Sequence, residues 1–159
     1  MSAAPHVWRA QAAEAAEVTR LLVEFRDWLG DREPPAQEMA RSVELLLGDP
    51  ATEFLLGSTG GAPEGVCQLR FRHSVWTSTE DCWLEDLYVE EGARGAGLGR
   101  ALVQAACERA RERGALRIEL DTNERNHAAI GLYESCGFSA SSKSHGEAAG
   151  RDLFFGRRL

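Results

Sequence analysis

The sequence predicts an α/β (α+β) fold with a mixed β-sheet, and two features of the chain carry this prediction. Apolar residues recur every three to four positions in several segments, as in amphipathic helices, and alternate with polar residues in shorter segments, as in strands. The order is strand, two helices, three strands, helix, strand, helix and two strands. We therefore expect a single domain over residues 1–159, with about six to seven strands flanked by about four helices.

Two predicted helices follow a short strand over residues 6–10. The first helix runs to Gly30, and the second follows Pro34 and Pro35 and ends at Gly48, because proline favours a helix start and glycine a helix end. The polar linker between them is a candidate substrate loop. The apolar stripe of the first helix comprises Val18, Leu21, Leu22, Phe25 and Leu29.

Three strands are predicted in the middle of the chain, near residues 54–56, 67–72 and 82–89. A turn rich in glycine and serine over residues 58–63 separates the first two, so we expect them to form a hairpin. The third strand leads directly into a cluster of glycines.

The last third of the chain begins with a helix that runs from the glycine cluster to Gly114. Alternating residues over 116–120 predict a further strand, and residues 126–136 predict a last helix. Two more strands are expected near residues 138–143 and 151–157.

Composition excludes several classes of protein. No apolar stretch of bilayer length and no export signal is found, which indicates a cytoplasmic protein without a membrane partner. No basic cluster with interleaved aromatic residues supports nucleic-acid binding. The cysteines lack the spacing of a metal site, so we expect reduced, buried thiols and no metal. They are Cys67, Cys82, Cys107 and Cys136.

The net charge of -7 is unevenly distributed along the chain. Residues 1–91 hold 7 Lys/Arg and 17 Asp/Glu, a balance of -10, whereas residues 92–159 hold 11 and 8, a balance of +3. An acidic half can concentrate cationic substrates, and a mildly basic half suits a polyanionic cofactor. The alternative is that these charges only keep the surface soluble.

Three glycines, Gly95, Gly97 and Gly99, stand between a predicted strand and a predicted helix. The N–H groups of residues 98–100 lack helical partners there, and the helix dipole favours negative charge, so the turn suits a phosphate. Arg94 could add a charged contact. The alternative is a tight turn that needs glycine only for its dihedral angles.

Two other nucleotide-binding motifs fit the glycine cluster less well. The dinucleotide fingerprint G-x-G-x-x-G would need glycine where Arg100 stands, although Glu119 or Asp121 could mimic its ribose contact. The phosphate loop of NTPases, G-x-x-x-x-G-K-[ST], does not occur in the chain. The dinucleotide motif is therefore weakened without being eliminated.

Three segments of the chain, Arg94 to Gly99, Trp83 to Val89 and Asn126 to Phe138, together resemble the GNAT N-acetyltransferase family. Arg94-x-x-Gly97-x-Gly99 matches its pyrophosphate signature Q/R-x-x-G-x-G/A, and the segment 83–89 is similar to its central strand. Downstream, the pattern Asn126-x-x-Ala129-x-x-Leu132-Tyr133-x-x-x-Gly137-Phe138 is similar to its second conserved region.

The resemblance implies a GNAT fold in which the central strand is bulged and splays from the next strand. Pantetheine would pair with its backbone, acetyl-CoA would be the acyl donor, and a homodimer is an option. The implied cofactor-binding residues are Leu87, Tyr88, Val89, Arg94, Gly95, Ala96, Gly97, Leu98, Gly99, Arg100, Asn126 and Tyr133.

Acetyl transfer to an amine requires a neutral nucleophile, whereas an alkylammonium has a pKa of about 10.4. Glu85 is our first candidate for the general base, acting through water, and Asp86 is the second. Only one of these neighbours should face the substrate, unless a bulge rotates both. The resemblance places Tyr133 at the thioester sulfur as general acid, with packing of the ring as the alternative.

We therefore expect transfer of acetyl from acetyl-CoA to a primary amine, most simply that of a small cationic molecule. The stretch 84–86 also resembles diamine and polyamine acetyltransferases. The alternatives are acetylation of a protein lysine or N-terminus, a non-catalytic acyl-CoA-binding sensor and, more distantly, a nucleotide-binding oxidoreductase. Trp76 and Trp83 are expected to line the acceptor pocket or to pack against the sheet.

Overall fold

The computed structural model describes residues 3–139, in which five strands form one sheet in the order of the sequence. Neighbours from the first to the fourth strand are antiparallel, and the fourth and fifth are parallel, so the predicted mixed sheet is confirmed. The strands are β1 (His6–Arg9), β2 (Thr52–Ser58), β3 (Gly65–Ser74), β4 (Thr79–Val89) and β5 (Ile118–Glu119), and the helices are α1 (Ala15–Trp28), α2 (Ala36–Leu47), α3 (Leu98–Glu112) and α4 (His127–Ser135).

The strand count is lower than expected because the last two predicted strands fall mostly outside the described residues. Residues 138–139 are not in a strand, and residues 140–143 and 151–157 lie outside the described part. The interpretation of 1–159 as one domain stays a prediction. Within residues 3–139, no helix is long and apolar enough to cross a membrane.

Helices cover both faces of the sheet and so create two cores. Alternate residues of β2 face opposite sides, with Phe54 and Leu56 beneath α1 and α2, and Leu55 beneath α3. The predicted stripe of α1 supplies the fully buried Val18 and Leu21. The first core lies between the sheet and α3, and the second between the sheet and α1 and α2.

Helix α3 approaches the sheet closely because two strand residues lack side chains. A Cβ atom at Gly57 would lie 2.7 Å from Cδ1 of Leu98, and one at Gly65 would lie 2.9 Å from Cδ1 of Leu102. Both leucines are fully buried, so the first turn of α3 is fixed against β2 and β3.

A β-bulge interrupts the pairing of β4 with β3. Gln68 is opposite Asp86, but the next residue of β3, Leu69, is opposite Leu84, which leaves Glu85 as the extra residue of β4. The bulge changes which side chains face each core. Leu84 and Leu87 both pack in the first core, whereas Tyr88 packs in the second.

Strand β5 is shorter than the predicted strand over residues 116–120. It pairs with β4 only through Cys82–Ile118 and Trp83–Glu119, and Leu116 is 73% exposed instead of alternating into the core. The pairing of β4 with β5 ends just before the bulge, and beyond that point the two strands are no longer hydrogen-bonded. The two strands therefore splay at the centre of the fold.

Candidate active site

A cavity of about 440 Å³ opens where β4 and β5 diverge. One wall is the carboxyl end of β4 with the glycine loop and α4, and another is the last turn of α1. Of the sequence-predicted site residues, the cavity is lined by Glu85, Leu87, Tyr88, Val89, Arg94, Gly95, Gly97, Gly99, Arg100, Asn126 and Tyr133. Two predicted residues, Ala96 and Leu98, do not line it, and Leu98 is 1% exposed in the first core.

The glycine loop presents backbone donors at one end of the cavity. Gly95 and Gly97 have φ angles of 82° and 85°, which L-residues rarely adopt, and Gly97 is the N-cap of α3. The Ala101 N–H donates to Gly97 O at 3.0 Å, which closes the first turn. The N–H groups of residues 98–100 have no partner within that turn, so this end of the cavity suits an anion such as a phosphate group.

Glycine at the start of α3 also permits close packing with α4. A Cβ atom at Gly99 would lie 3.1 Å from Cδ2 of Leu132, a residue of α4 that lines the cavity. The side chain of Arg100 binds α4 as well, donating to the Ser135 hydroxyl at 3.0 Å. The absence of a side chain at residue 99 thus permits α3 and α4 to meet beside the cavity.

Arg94 is held by contacts with the end of β4 and the last turn of α1. Its Nε donates to Val89 O at 3.0 Å, and its guanidinium lies 5.1 Å from the ring centroid of Trp28 and 5.8 Å from that of Tyr88. Asn126 is the N-cap of α4, where its Oδ1 accepts from the Ala129 N–H at 3.2 Å. Both residues line the cavity while also supporting its walls.

The bulge brings both candidate bases, Glu85 and Asp86, to the same cavity, as the exception to strand alternation allowed. Their environments differ, because Glu85 is exposed and Asp86 is half-buried. Burial, with the nearby charges of Glu85 and Asp121, raises the pKa of Asp86 to about 6. A base is most useful when its pKa lies close to the working pH, so burial favours Asp86 over Glu85.

Tyr133 lies in the cavity wall with only 8% of its surface exposed. Burial, with the nearby carboxylates of Asp86 and Asp121, raises the pKa of Tyr133 to about 12. Its ring packs at a tilt against Phe138, with centroids 5.8 Å apart. The phenol consequently keeps its proton at neutral pH and can act as a donor.

Sequence reasoning did not assign seven of the lining residues to the site: Phe25, Trp28, Asp121, Thr122, Ala128, Ala129 and Leu132. Phe25 was assigned only to the apolar stripe of α1, although Trp28, one turn further on, marks the same face. Asp121 follows the carboxyl end of a parallel strand, a position typical of binding sites. That signal could have identified it.

Three expectations about neighbouring regions are corrected. The linker 30–35, a candidate substrate loop, contributes no residue to the cavity, because the cavity ends at the last turn of α1. Trp76 is 95% exposed at the tip of the β3–β4 hairpin, so it neither lines the cavity nor packs against the sheet. The cysteines are free, but only Cys67 and Cys82 are fully buried.

Comparison with known proteins gives a consistent result. A family model described as Acetyltransferase (GNAT) family matches residues 17–138. The aminoglycoside N(6')-acetyltransferase type 1 of Stenotrophomonas maltophilia is 27% identical over 90% of this chain and 92% of its own length. A thialysine N-epsilon-acetyltransferase of Caenorhabditis elegans is 27% identical over 79% of this chain and 75% of its own length.

Solved structures agree with the sequence relatives. A crystal structure of an Arthrobacter sp. FB24 protein assigned as an acetyltransferase has a TM-score of 0.82 and 32% identity, covering 97% of this chain and 96% of that one. An aminoglycoside N-acetyltransferase in complex with CoA shares the fold, with a TM-score of 0.80 at 15% identity, covering 100% and 98%. The chain therefore belongs to the GNAT acetyltransferase family and is an acyltransferase.

Proposed function

We propose that this acyltransferase moves an acetyl group from acetyl-CoA to the primary amine of a small cationic molecule. The observation that carries the proposal is a set of three carboxylates, Glu85, Asp86 and Asp121, in the same cavity as Tyr133 and the glycine loop. Carboxylates attract an ammonium group, and the N–H groups of the loop attract phosphate. The two ends of the cavity thus suit the two substrates.

At the cofactor end, backbone groups make more of the contacts with acetyl-CoA than side chains do. The N–H groups of residues 95–100 bind the pyrophosphate, and the exposed edge of β4 at Leu87, Tyr88 and Val89 pairs with the pantetheine amides. Acetyl-CoA, when bound, supplies an acetyl group activated as a thioester. Arg94, Arg100 and Asn126 support this end of the cavity.

At the acceptor end, the acidic side chains determine the class of amine. The relatives named for aminoglycoside and thialysine acetylation act on small molecules that carry amino groups, which supports a small-molecule acceptor. The ammonium is desolvated on entering the cavity, so several carboxylates at short range are needed to offset that cost. We assign Glu85 and Asp121 to this attraction.

Asp86 is the group that we propose removes the proton from the acceptor ammonium, directly or through one water. With a pKa of about 6, Asp86 is ionised at neutral pH and can therefore accept a proton. Because this pKa lies within about one unit of neutral pH, Asp86 is also a stronger base than an ordinary aspartate. Glu85, the first candidate from sequence, is exposed, and its charge contributes to the raised pKa of Asp86. The structure thus supports the reverse order of the two candidates.

Tyr133 is the group that we propose protonates the departing sulfur. The neutral amine attacks the thioester carbonyl carbon, and as the carbon–nitrogen bond forms and the carbon–sulfur bond breaks, the phenol gives its proton to the thiolate. The second proton lost by the nitrogen passes through water to the phenolate oxygen, and Asp86 releases the first proton to solvent. The high pKa of Tyr133 keeps the donor form fully populated before each turnover. Its place in the cavity wall supports this role over simple packing.

The proposal is tested by release of free thiol from acetyl-CoA in the presence of different acceptors. The panel contains aminoglycosides, thialysine, diamines, polyamines, amino acids and peptides, and reactions without protein and without acceptor are the controls for hydrolysis of acetyl-CoA. We expect small amines with two or more positive charges to accelerate release most. Acceleration by peptides alone would favour the protein acetyltransferase, and tight CoA binding without acceleration by any amine would favour the sensor.

A further inference from the structure

Trp28, in the last turn of α1, lines the cavity, and its ring lies beside Arg94 at the start of the glycine loop. We propose that Trp28 is a positioning residue for acetyl-CoA binding: its indole holds the guanidinium of Arg94 and thereby fixes the start of the glycine loop. This inference rests on the proposed function, because it assigns the glycine loop to CoA. It predicts that a residue of α1 determines the affinity for the cofactor.

The geometry around Arg94 is that of a three-point clamp. The guanidinium stands over Trp28 and Tyr88, at 5.1 Å and 5.8 Å from their ring centroids, within the range of a cation–π contact. The Nε of the same side chain donates to Val89 O at 3.0 Å. Arg94 directly precedes Gly95, so the clamp acts on the first residue of the loop.

The clamp is anchored in the second core through a series of stacked rings. Tyr88 is buried and stacks on Phe25 at 5.4 Å, and Phe25 stacks on Trp28 at 6.2 Å. Trp28 ends the series with 49% of its surface exposed, and its ring is the one closest to the guanidinium. The last turn of α1 therefore restrains the exposed side chain of Arg94 through rings that are packed in the second core.

A fixed Arg94 lowers the entropic cost of ordering the loop around a phosphate. An unrestrained arginine loses much rotamer freedom when it becomes ordered, and a planar guanidinium stacked on an aromatic ring has already lost it. If residue 94 were lysine, or if the indole of Trp28 were absent, the side chain at position 94 would lose its rotamer freedom only when CoA binds. The expected consequence is a CoA dissociation constant about 3- to 10-fold higher when Trp28 is replaced by leucine.

The test is a calorimetric titration of the full-length protein with CoA, with variants that separate the clamp from other roles of Trp28. Trp28→Leu keeps an apolar side chain but has no π-face, whereas Trp28→Phe retains one and should recover most of the affinity. Trp76→Leu is the matched control, because Trp76 is 95% exposed and outside the cavity. It should leave the CoA dissociation constant unchanged.

A double-mutant cycle decides whether Trp28 acts through Arg94. We expect Arg94→Ala to weaken CoA binding and Trp28→Leu to have no further effect in that background. Additive losses would show that Trp28 contacts the ligand itself and would overturn the proposal. Equal CoA affinity of Trp28→Leu and the wild type would overturn it as well.

Steady-state kinetics distinguishes the clamp from a direct contact between Trp28 and the acceptor, because the two roles change different KM values. The clamp predicts that Trp28→Leu raises KM for acetyl-CoA and leaves KM for the acceptor unchanged. The reverse pattern would contradict it. Failure of the wild type itself to bind CoA would instead refute the proposed function, so the two failures are distinguishable. Trp28→Phe and thermal unfolding of each variant keep the result interpretable if Trp28→Leu folds poorly.

Discussion

The two sides of strand β4 differ in how they use the same backbone. Toward β3, β4 is paired from Thr79 to Val89 with a single interruption, whereas toward β5 the pairing covers only Cys82 and Trp83. Along the edge that faces β3, the backbone N–H and C=O groups of β4 form hydrogen bonds within the sheet. Along the edge that faces β5, the backbone groups beyond the bulge face a cavity. We call the edge of β4 that faces β3 the paired side, which stabilises the sheet, and the edge that faces β5 beyond the bulge the open side, which lines the cavity.

The largest effect is expected for a core substitution on the paired side, Leu69→Ala. Leu69 is fully buried beside the bulge, so its loss should lower the free energy of unfolding by about 3 kcal/mol. Chemical denaturation measures this change. The CoA dissociation constant of the folded fraction should stay within about twofold. A CoA affinity that falls together with stability would show that the two sides are not separable.

A comparable effect of another kind is expected on the open side for Tyr133→Phe. Removing only the hydroxyl keeps the ring packed near Phe138 but deletes the proton donor. The value of kcat should fall by roughly 10²-fold, or about 2.7 kcal/mol in the barrier, with CoA affinity and stability retained. Steady-state kinetics with the best acceptor is the measurement. An unchanged kcat would eliminate Tyr133 as the donor.

Asp86→Asn should separate function from stability most clearly. The pKa of Asp86 in the folded protein, about 6, lies above its ordinary value of 3.8, so the folded state holds the proton more tightly than the unfolded state does. The carboxyl group therefore favours folding below its ordinary pKa and loses that contribution as pH rises through about 6.

The variant should accordingly be more stable than the wild type at pH 8, by roughly 1–2 kcal/mol, and equally stable near pH 3. It should also lose most of its activity. Urea denaturation at the two pH values measures the first effect. Lower stability of Asp86→Asn at pH 8 would contradict the burial cost assigned to this carboxylate.

The smallest effect is expected for Glu85→Gln, which tests the division of roles between the two carboxylates. As Asp86 loses its proton, kcat/KM should rise through an acidic limb near pH 6. Because the charge of Glu85 raises the pKa of Asp86, Glu85→Gln should move that limb to lower pH by a few tenths of a unit. Loss of the limb in Glu85→Gln, with its retention in Asp86→Asn, would identify Glu85 as the base.

Much of the paired side could be predicted from the sequence. Alternation in β3 predicts the buried Leu69 and Phe71, and the stripe of α1 predicts the buried Val18 and Leu21, since each pattern results from one element packing on one core. The patterns fail at Gln68, which is buried, and at Leu29, which lies just after α1 and is 57% exposed. The glycine cluster was likewise predicted to begin a helix, and Gly97 is the N-cap of α3. These are local signals, readable within one turn or one strand.

The open side depends on relations between elements that no local pattern contains. The bulge at Glu85 reverses the faces of the residues that follow it, so the burial of Asp86 could not be derived from alternation alone. The strand over 116–120 was predicted too long because its partner diverges. Trp28 joins the cavity only because the end of α1 meets Tyr88 and Arg94 there.

Amide hydrogen exchange with and without CoA tests the central claim most directly, because it reports both sides of β4 in one experiment. We predict that CoA slows exchange over residues 87–100 and at the start of α4, while exchange in β1 to β3 stays unchanged. No change at saturating CoA, or protection confined to β1 to β3, would contradict the assignment of the open side of β4 as the acyl-transfer site.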